Sequence, residues 1–257
     1  MTKPTVIAVA GKGGTGKTTI CGLLIRYLAD QGGAVLAVDA DPNSNLNEVL
    51  GVEIPISLGD VREQIAHAEL DDGTPLPAGV SKQDYANFMF NSALAEEENF
   101  DMLVMGRTQG TGCYCYVNGV LKTQIEKYSS GYDWIVVDNE AGMEHISRGT
   151  LPHIDILLLV SDCSRRGIQA AGRLNRMVAD LALNPKQLGL IVNRAPGGQL
   201  NEGVQEEIQL QELPLLGVVP QDETVYEYDS AGEATVNIPA DNPVRQALAA
   251  IITKLGI

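Results

Sequence analysis

Gly11-Lys12-Gly13-Gly14-Thr15-Gly16-Lys17-Thr18 fits the pattern G-x-x-x-x-G-K-[ST], in which a glycine-rich loop wraps a polyphosphate. Its surroundings agree. Thr5-Val6-Ile7-Ala8-Val9-Ala10 is short, apolar and β-branched, as a buried strand is. Thr19 to Gln31 carries Leu23, Leu24, Tyr27 and Leu28 at helical spacing. Strand, loop and helix in that order turn successive backbone N–H groups toward phosphate oxygens, and glycines allow the close approach. Gly13, Gly14, Thr15, Gly16 and Thr19 are expected to line the nucleotide. Lys17 should reach the β- and γ-phosphates, and the Thr18 hydroxyl should take a Mg²⁺ position.

Lys12 is a second lysine inside the loop, and K-G-G-T-G-K-T resembles the deviant Walker A motif of the family that includes MinD, ParA, ArsA and the nitrogenase iron protein. That resemblance implies a homodimer whose subunits face each other across two nucleotides. Lys12 would cross to the partner's phosphates, much as an arginine finger does.

Composition bounds the rest. The 257 residues, 44% hydrophobic and 20% charged, suit a single globular α/β domain spanning 1–257. The net charge of −15 argues against a broad surface for nucleic acid or anionic membrane, which needs clustered Lys and Arg. The loop begins too early for a signal segment to precede it, and no apolar run approaches the roughly 20 residues of a membrane helix. The expectation is a cytoplasmic protein, whose four cysteines are thiols or metal ligands rather than disulfides.

Ala34-Val35-Leu36-Ala37-Val38 reads as a second strand, ending in Asp39-Ala40-Asp41-Pro42-Asn43-Ser44. Ligands of α/β folds bind at such strand ends. By the same resemblance this is switch I: Asp41 would orient or deprotonate the attacking water, and Asp39 would hold a water of the Mg²⁺ shell. Read without it, the stretch is a turn with a helix cap. Gly51 to Ile65 and Asp84 to Glu97 look partly helical, and Asp71 to Pro77 is a turn-rich loop.

Asp101 to Gly106 resumes the sheet and leads into Arg107-Thr108-Gln109-Gly110-Thr111-Gly112-Cys113-Tyr114-Cys115-Tyr116, followed by a helix over Val117 to Tyr128. Thiols after a glycine turn and near a helix N-terminus have lowered pKa values, which favours the metal-binding thiolate. One C-x-C supplies two sulfurs, and a closed thiolate site takes four. Two copies meeting across a two-fold axis would supply Cys113 and Cys115 from each chain, for nickel or zinc. M-G-R-T-Q-G-T-G-C-Y-C-Y-V-N, from Met105, resembles the CooC family over essentially the whole chain. Those ATPases assist nickel insertion into carbon monoxide dehydrogenase, and a near relative serves acetyl-CoA synthase. The resemblance implies one of those enzymes as client.

Trp134 to Asp138 is an apolar strand ending in the Walker B aspartate, expected to bind Mg²⁺ through water. Gly142 and His145 fall in switch II, where Gly142 would meet the γ-phosphate. His145 stands where the nitrogenase iron protein has its second cluster cysteine, so a cluster of that kind is not expected. His145 reads most simply as a switch or interface residue, with accessory metal ligation open. Cys21 and Cys163 read as unliganded thiols. Leu188 to Arg194 is a strand in which the resemblance makes Asn193 the adenine reader, with Arg194 beside the base. Leu213 to Val219 is followed by Pro220, Gln221 and Asp222, a loop expected to close over the base. Asn193 is not part of an N-K-x-D guanine motif, so ATP is expected over GTP. Pro243 to Leu255 carries an apolar stripe at about 3.6-residue spacing that should pack on the sheet.

The expected fold is a doubly wound, mostly parallel α/β sheet with helices on both faces. The expected function is ATP-driven nickel delivery. A MinD- or ParA-like positioning ATPase and an iron–sulfur scaffold or electron donor stay open beside it.

Overall fold

A computed structural model describes residues 3–43, 45–69, 80–107, 114–141, 151 and 153–257. Among them, eight strands form one sheet in the order β3-β4-β2-β5-β1-β6-β7-β8. The strands are β1 (Thr5–Gly11), β2 (Val35–Asp39), β3 (Leu94–Glu96), β4 (Phe100–Val104), β5 (Trp134–Asp138), β6 (Ile156–Asp162), β7 (Gln187–Ala195) and β8 (Leu215–Pro220). Every pairing is parallel except the edge pair β3–β4. The helices are α1 (Lys17–Asp30), α2 (Leu46–Leu50), α3 (Leu58–Glu69), α4 (Lys82–Asn91), α5 (Tyr114–Tyr128), α6 (Arg165–Asp180), α7 (Glu202–Leu210), α8 (Glu223–Ala231) and α9 (Pro243–Leu255).

The sheet is covered on both sides, which is why its strands read as continuous apolar runs. Along β1, Ile7 and Val9 point to one face, with Leu24 of α1 and Ile252 of α9. Val6, Ala8 and Ala10 point to the other, with Leu121 of α5 and Ile168 of α6. Fully buried side chains such as Ile7 and Leu24 each contribute about 2 kcal/mol of transfer free energy. β1 runs between β5 and β6, so its C-terminal end, where the loop starts, is the centre of the sheet's edge.

Two expectations change here. Leu94–Glu96, read as part of a helix, is an edge strand, because antiparallel pairing to β4 satisfies its backbone. The helices α2, α7 and α8, which no sequence signal had assigned, occupy connections. The C-terminal stripe behaves as expected: Val244, Leu248, Ile251, Ile252 and Leu255 of α9 are buried. The basic groups there are engaged too, Arg245 with Asp30 at 3.3 Å and Lys254 with the Leu216 carbonyl at 2.8 Å. No helix among the described residues is long and apolar enough to cross a membrane.

Candidate functional site

The loop after β1 folds around its own carbonyls. Thr15 Oγ1 donates to the Lys12 carbonyl at 2.9 Å, and Lys17 Nζ donates to the same oxygen at 3.4 Å. Gly14 and Gly16 have φ of 81° and 83°. Gly16 caps α1 in the left-handed region without a side-chain cap bond, so the first N–H groups of α1 face the loop's hollow. The two lysines part company: Lys17 is buried, whereas Lys12 is exposed.

Two carboxylates flank the loop. The register places Asp39, at the end of β2, beside Asp138, at the end of β5. Burial and then the neighbouring Asp138 charge push Asp39 up to about 7. Asp138 is pushed up to about 6, chiefly by burial, against the opposing effects of the Thr18 hydroxyl bond and the Lys17 charge. Asp138 Oδ1 is buried with no hydrogen-bond partner. A buried acceptor left unpaired beside a threonine hydroxyl and a second carboxylate suits a hard, oxygen-seeking cation. Thr18 and Asp138 therefore fit Mg²⁺. Asp39 is used differently: Oδ1 accepts from Asp41 N at 3.0 Å, and Oδ2 accepts from Leu46 N at 3.0 Å. It holds the switch I turn and the start of α2, whose Asn45 cap makes no side-chain bond of its own. Asp41 Oδ1 accepts from Asn43 N at 2.8 Å and from Asn43 Nδ2 at 3.0 Å.

A cleft of about 910 Å³ opens beside the loop, lined by Thr19, Asn193, Arg194, Pro220, Gln221 and Asp222 among others. Every residue placed at the base by sequence meets here. Asn193 Nδ2 donates to the Thr15 carbonyl at 2.9 Å, and Arg194 Nη1 donates to the Gly14 carbonyl at 3.2 Å. The end of β7 thus buttresses the loop. Arg194 has φ 55°, a strained conformation of the sort that clusters at ligand clamps. The Asp222 side chain caps α8 through Val225 N at 3.2 Å and accepts from Asn242 Nδ2 at 2.9 Å, which leaves its backbone for a ligand. Sequence did not point to Tyr226, an exposed aromatic on the same wall.

Cys113, Gly142 and His145 lie outside the described residues, and of Cys115 only the backbone on the first turn of α5 is described. Among the described residues no three His, Cys, Asp or Glu cluster as a metal site. Cys21 is buried in α1, and burial raises its thiol well above the ordinary value. Cys163 is half-buried against the second core cluster, and its thiol is raised by burial and the neighbouring Asp162 charge.

A family model described as the CobQ/CobB/MinD/ParA nucleotide binding domain matches residues 6–236. The chain belongs to that family. An uncharacterized ATP-binding protein of Methanocaldococcus jannaschii is 37% identical over 97% of this chain and 98% of its own. The carbon monoxide dehydrogenase accessory protein CooC of Rhodospirillum rubrum is 29% identical over 97% of each. Among solved structures, the septum site-determining protein MinD of Pyrococcus horikoshii, complexed with Mg-ADP, aligns with a TM-score of 0.72. It is 24% identical and covers 98% of this chain and 96% of that one. The eight-stranded, mostly parallel sheet is the MinD/ParA fold, and this member of the family is a P-loop ATPase.

Proposed function

We propose that this ATPase is a metallochaperone, a nucleotide-driven homodimer that delivers nickel to carbon monoxide dehydrogenase or acetyl-CoA synthase. The observation that carries it is the 29% identity to CooC along 97% of both chains, joined to the C-x-C pair directly after β4. The chain works as one P-loop domain. Lys17 and the N–H groups of Gly13 to Thr19 hold the phosphates. Thr18 and Asp138 hold Mg²⁺, which when bound neutralises the charge that builds on the phosphate oxygens. Asp41 orients the attacking water and takes its proton. Lys12, exposed on the loop, reaches the partner's phosphates. Asn193 and Arg194 meet the base, with the backbone of Pro220, Gln221 and Asp222 across from them. Gly142 reports the γ-phosphate to switch II. Closure of the dimer brings Cys113 and Cys115 of both chains together as one four-thiolate site for the cargo metal. Zinc suits the same sulfurs as nickel.

A positioning ATPase of the MinD kind would need a surface for membrane or DNA. The net charge of −15 and the buried stripe of α9 weigh against it.

Native mass spectrometry of the wild type and of a Cys113→Ala, Cys115→Ala double variant tests the proposal, with nickel or zinc added and with or without ATP. One metal per dimer, lost in the variant, is the expected result. ATP-dependent dimers that carry no specific metal would sink metal delivery and leave the ATPase.

A further inference from the structure

The end of β4 is gripped from two sides. On one side lies the start of α3. Gly59 N donates to the Met105 carbonyl at 2.9 Å. A Cβ on Gly59 would collide with the Arg107 carbonyl, and one on Gly106 would collide with Ser57. Gly106 also has φ 66°, which suits a residue without a side chain. Residues 105–107 are thus pinned by backbone contact rather than by exchangeable side chains. On the other side lies switch I. Met105 N donates to the Asp39 carbonyl at 2.9 Å, and the Arg107 guanidinium donates to Asn43 Oδ1.

Asn43 is the informative member. A guanidinium only donates and a carboxylate only accepts, so Asn43 has one possible orientation between them. Its carbonyl oxygen faces Arg107, and its amide NH₂ faces Asp41 Oδ1 at 3.0 Å. A single amide therefore bridges the carboxylate expected to act on water and the residue that precedes the cysteine-bearing segment. Asn43, Arg107, Ser57 and Asp60 border a cavity of about 390 Å³, so the bridge has room to shift.

We propose that Arg107 is a positioning residue that couples the two sites. Through Asn43 it ties the Asp41 loop to the chain that continues into Cys113 and Cys115, so the state of the nucleotide and the state of the thiols bias each other. This rests on the proposal that those cysteines are the working thiols. Coupling of this kind is reciprocal. It needs no direct contact between thiol and nucleotide, only a shared element that both sites bias.

The test is peptide-resolved alkylation of Cys113 and Cys115 by iodoacetamide, on the full chain stripped of metal, with and without ATP and Mg²⁺. In the wild type the labelling rate should change at least about fivefold with nucleotide, the low end of allosteric coupling. Arg107→Ala should bring that ratio close to one while ATP affinity stays within about twofold, since Arg107 touches no part of the nucleotide cleft. Asn43→Leu should flatten the ratio too, and the double variant should add nothing further, as two breaks in one relay must. A wild-type ratio of one overturns the proposal. So does an unchanged ratio in Arg107→Ala, or labelling raised equally with and without nucleotide, which would be mere loosening. The same preparations examined for bound metal separate the two ideas. A flattened ratio without any dimer-bridging metal supports the coupling and removes only the delivery role.

Discussion

Asp39 and Asp138 stand side by side where water is scarce, and the cost of two charges there sets how the chain responds to pH. Their pKa values of about 7 and about 6 exceed the ordinary carboxylate value. A raised value means the folded chain keeps protons that the unfolded chain gives up from about pH 4. These groups therefore support the fold most fully below about pH 4. Their support is lost as pH rises toward about 7. Mg²⁺ with ATP supplies the counter-charge that protons supply at low pH. The stabilisation by Mg-ATP, read from urea midpoints, should be larger at pH 8 than at pH 5, and Asp138→Asn should shrink the difference. Equal increments at both pH values would mean that the pair is not where the cation sits. Much of this site was legible as sequence because its parts are contiguous: the loop, the D-x-D run and the Walker B strand each announce themselves within ten residues or so. The contacts that assemble it were not. Asn193 reaches Thr15 across 178 positions, and Arg107 reaches Asn43 across 64. No local pattern encodes such a pair. Asp39 was expected to serve a Mg²⁺ shell and is found capping α2, a role set by where that short helix begins.

Helix glycines show what packing adds to propensity. In an open helix, Gly→Ala gains about 1 kcal/mol, because alanine loses less backbone freedom on folding. Gly119 in α5 has nothing within 4 Å of the place an added methyl would take, so Gly119→Ala should gain roughly that amount. Gly59 in the first turn of α3 has the Arg107 carbonyl there instead. Gly59→Ala should therefore lose stability by about 1–3 kcal/mol, as overpacking against backbone does. Urea denaturation of the two variants checks the opposite signs. If Gly59→Ala stabilises the chain, α3 and β4 are not in the close contact described. The same logic explains which elements sequence revealed. β1, β2 and β5 are buried on both faces and read as unbroken apolar runs. Leu94-Ala95-Glu96 contains good helix formers, and only the partner strand makes it β. α7 and α8 are nine-residue helices with polar sequences, too short for their periodicity to stand out.

At the scale of the whole molecule, the two loop lysines divide the chemistry between one chain and two. Lys17 is 8% exposed and turned back into its own loop. Lys12 is exposed, and its backbone carbonyl, not its ammonium, is what the loop uses. A lysine that serves its own nucleotide gains from being held, as Lys17 is. One that serves a partner has to stand clear until the partner arrives. Each chain also carries a net charge of −15, so two chains repel until something positive is placed between them. Lys12 against the partner's phosphates is that contact, and it forms only when nucleotide is present. Lys12→Ala should therefore leave ATP binding to the single chain within about threefold, yet lose the ATP-dependent dimer and slow hydrolysis by about 10³-fold, the scale set by arginine fingers. Sedimentation velocity with ATP and a steady-state phosphate-release assay read the two effects. Dimers that persist at wild-type strength in the variant would confine Lys12 to its own loop. The four-thiolate site would then need another means of bringing two C-x-C pairs together.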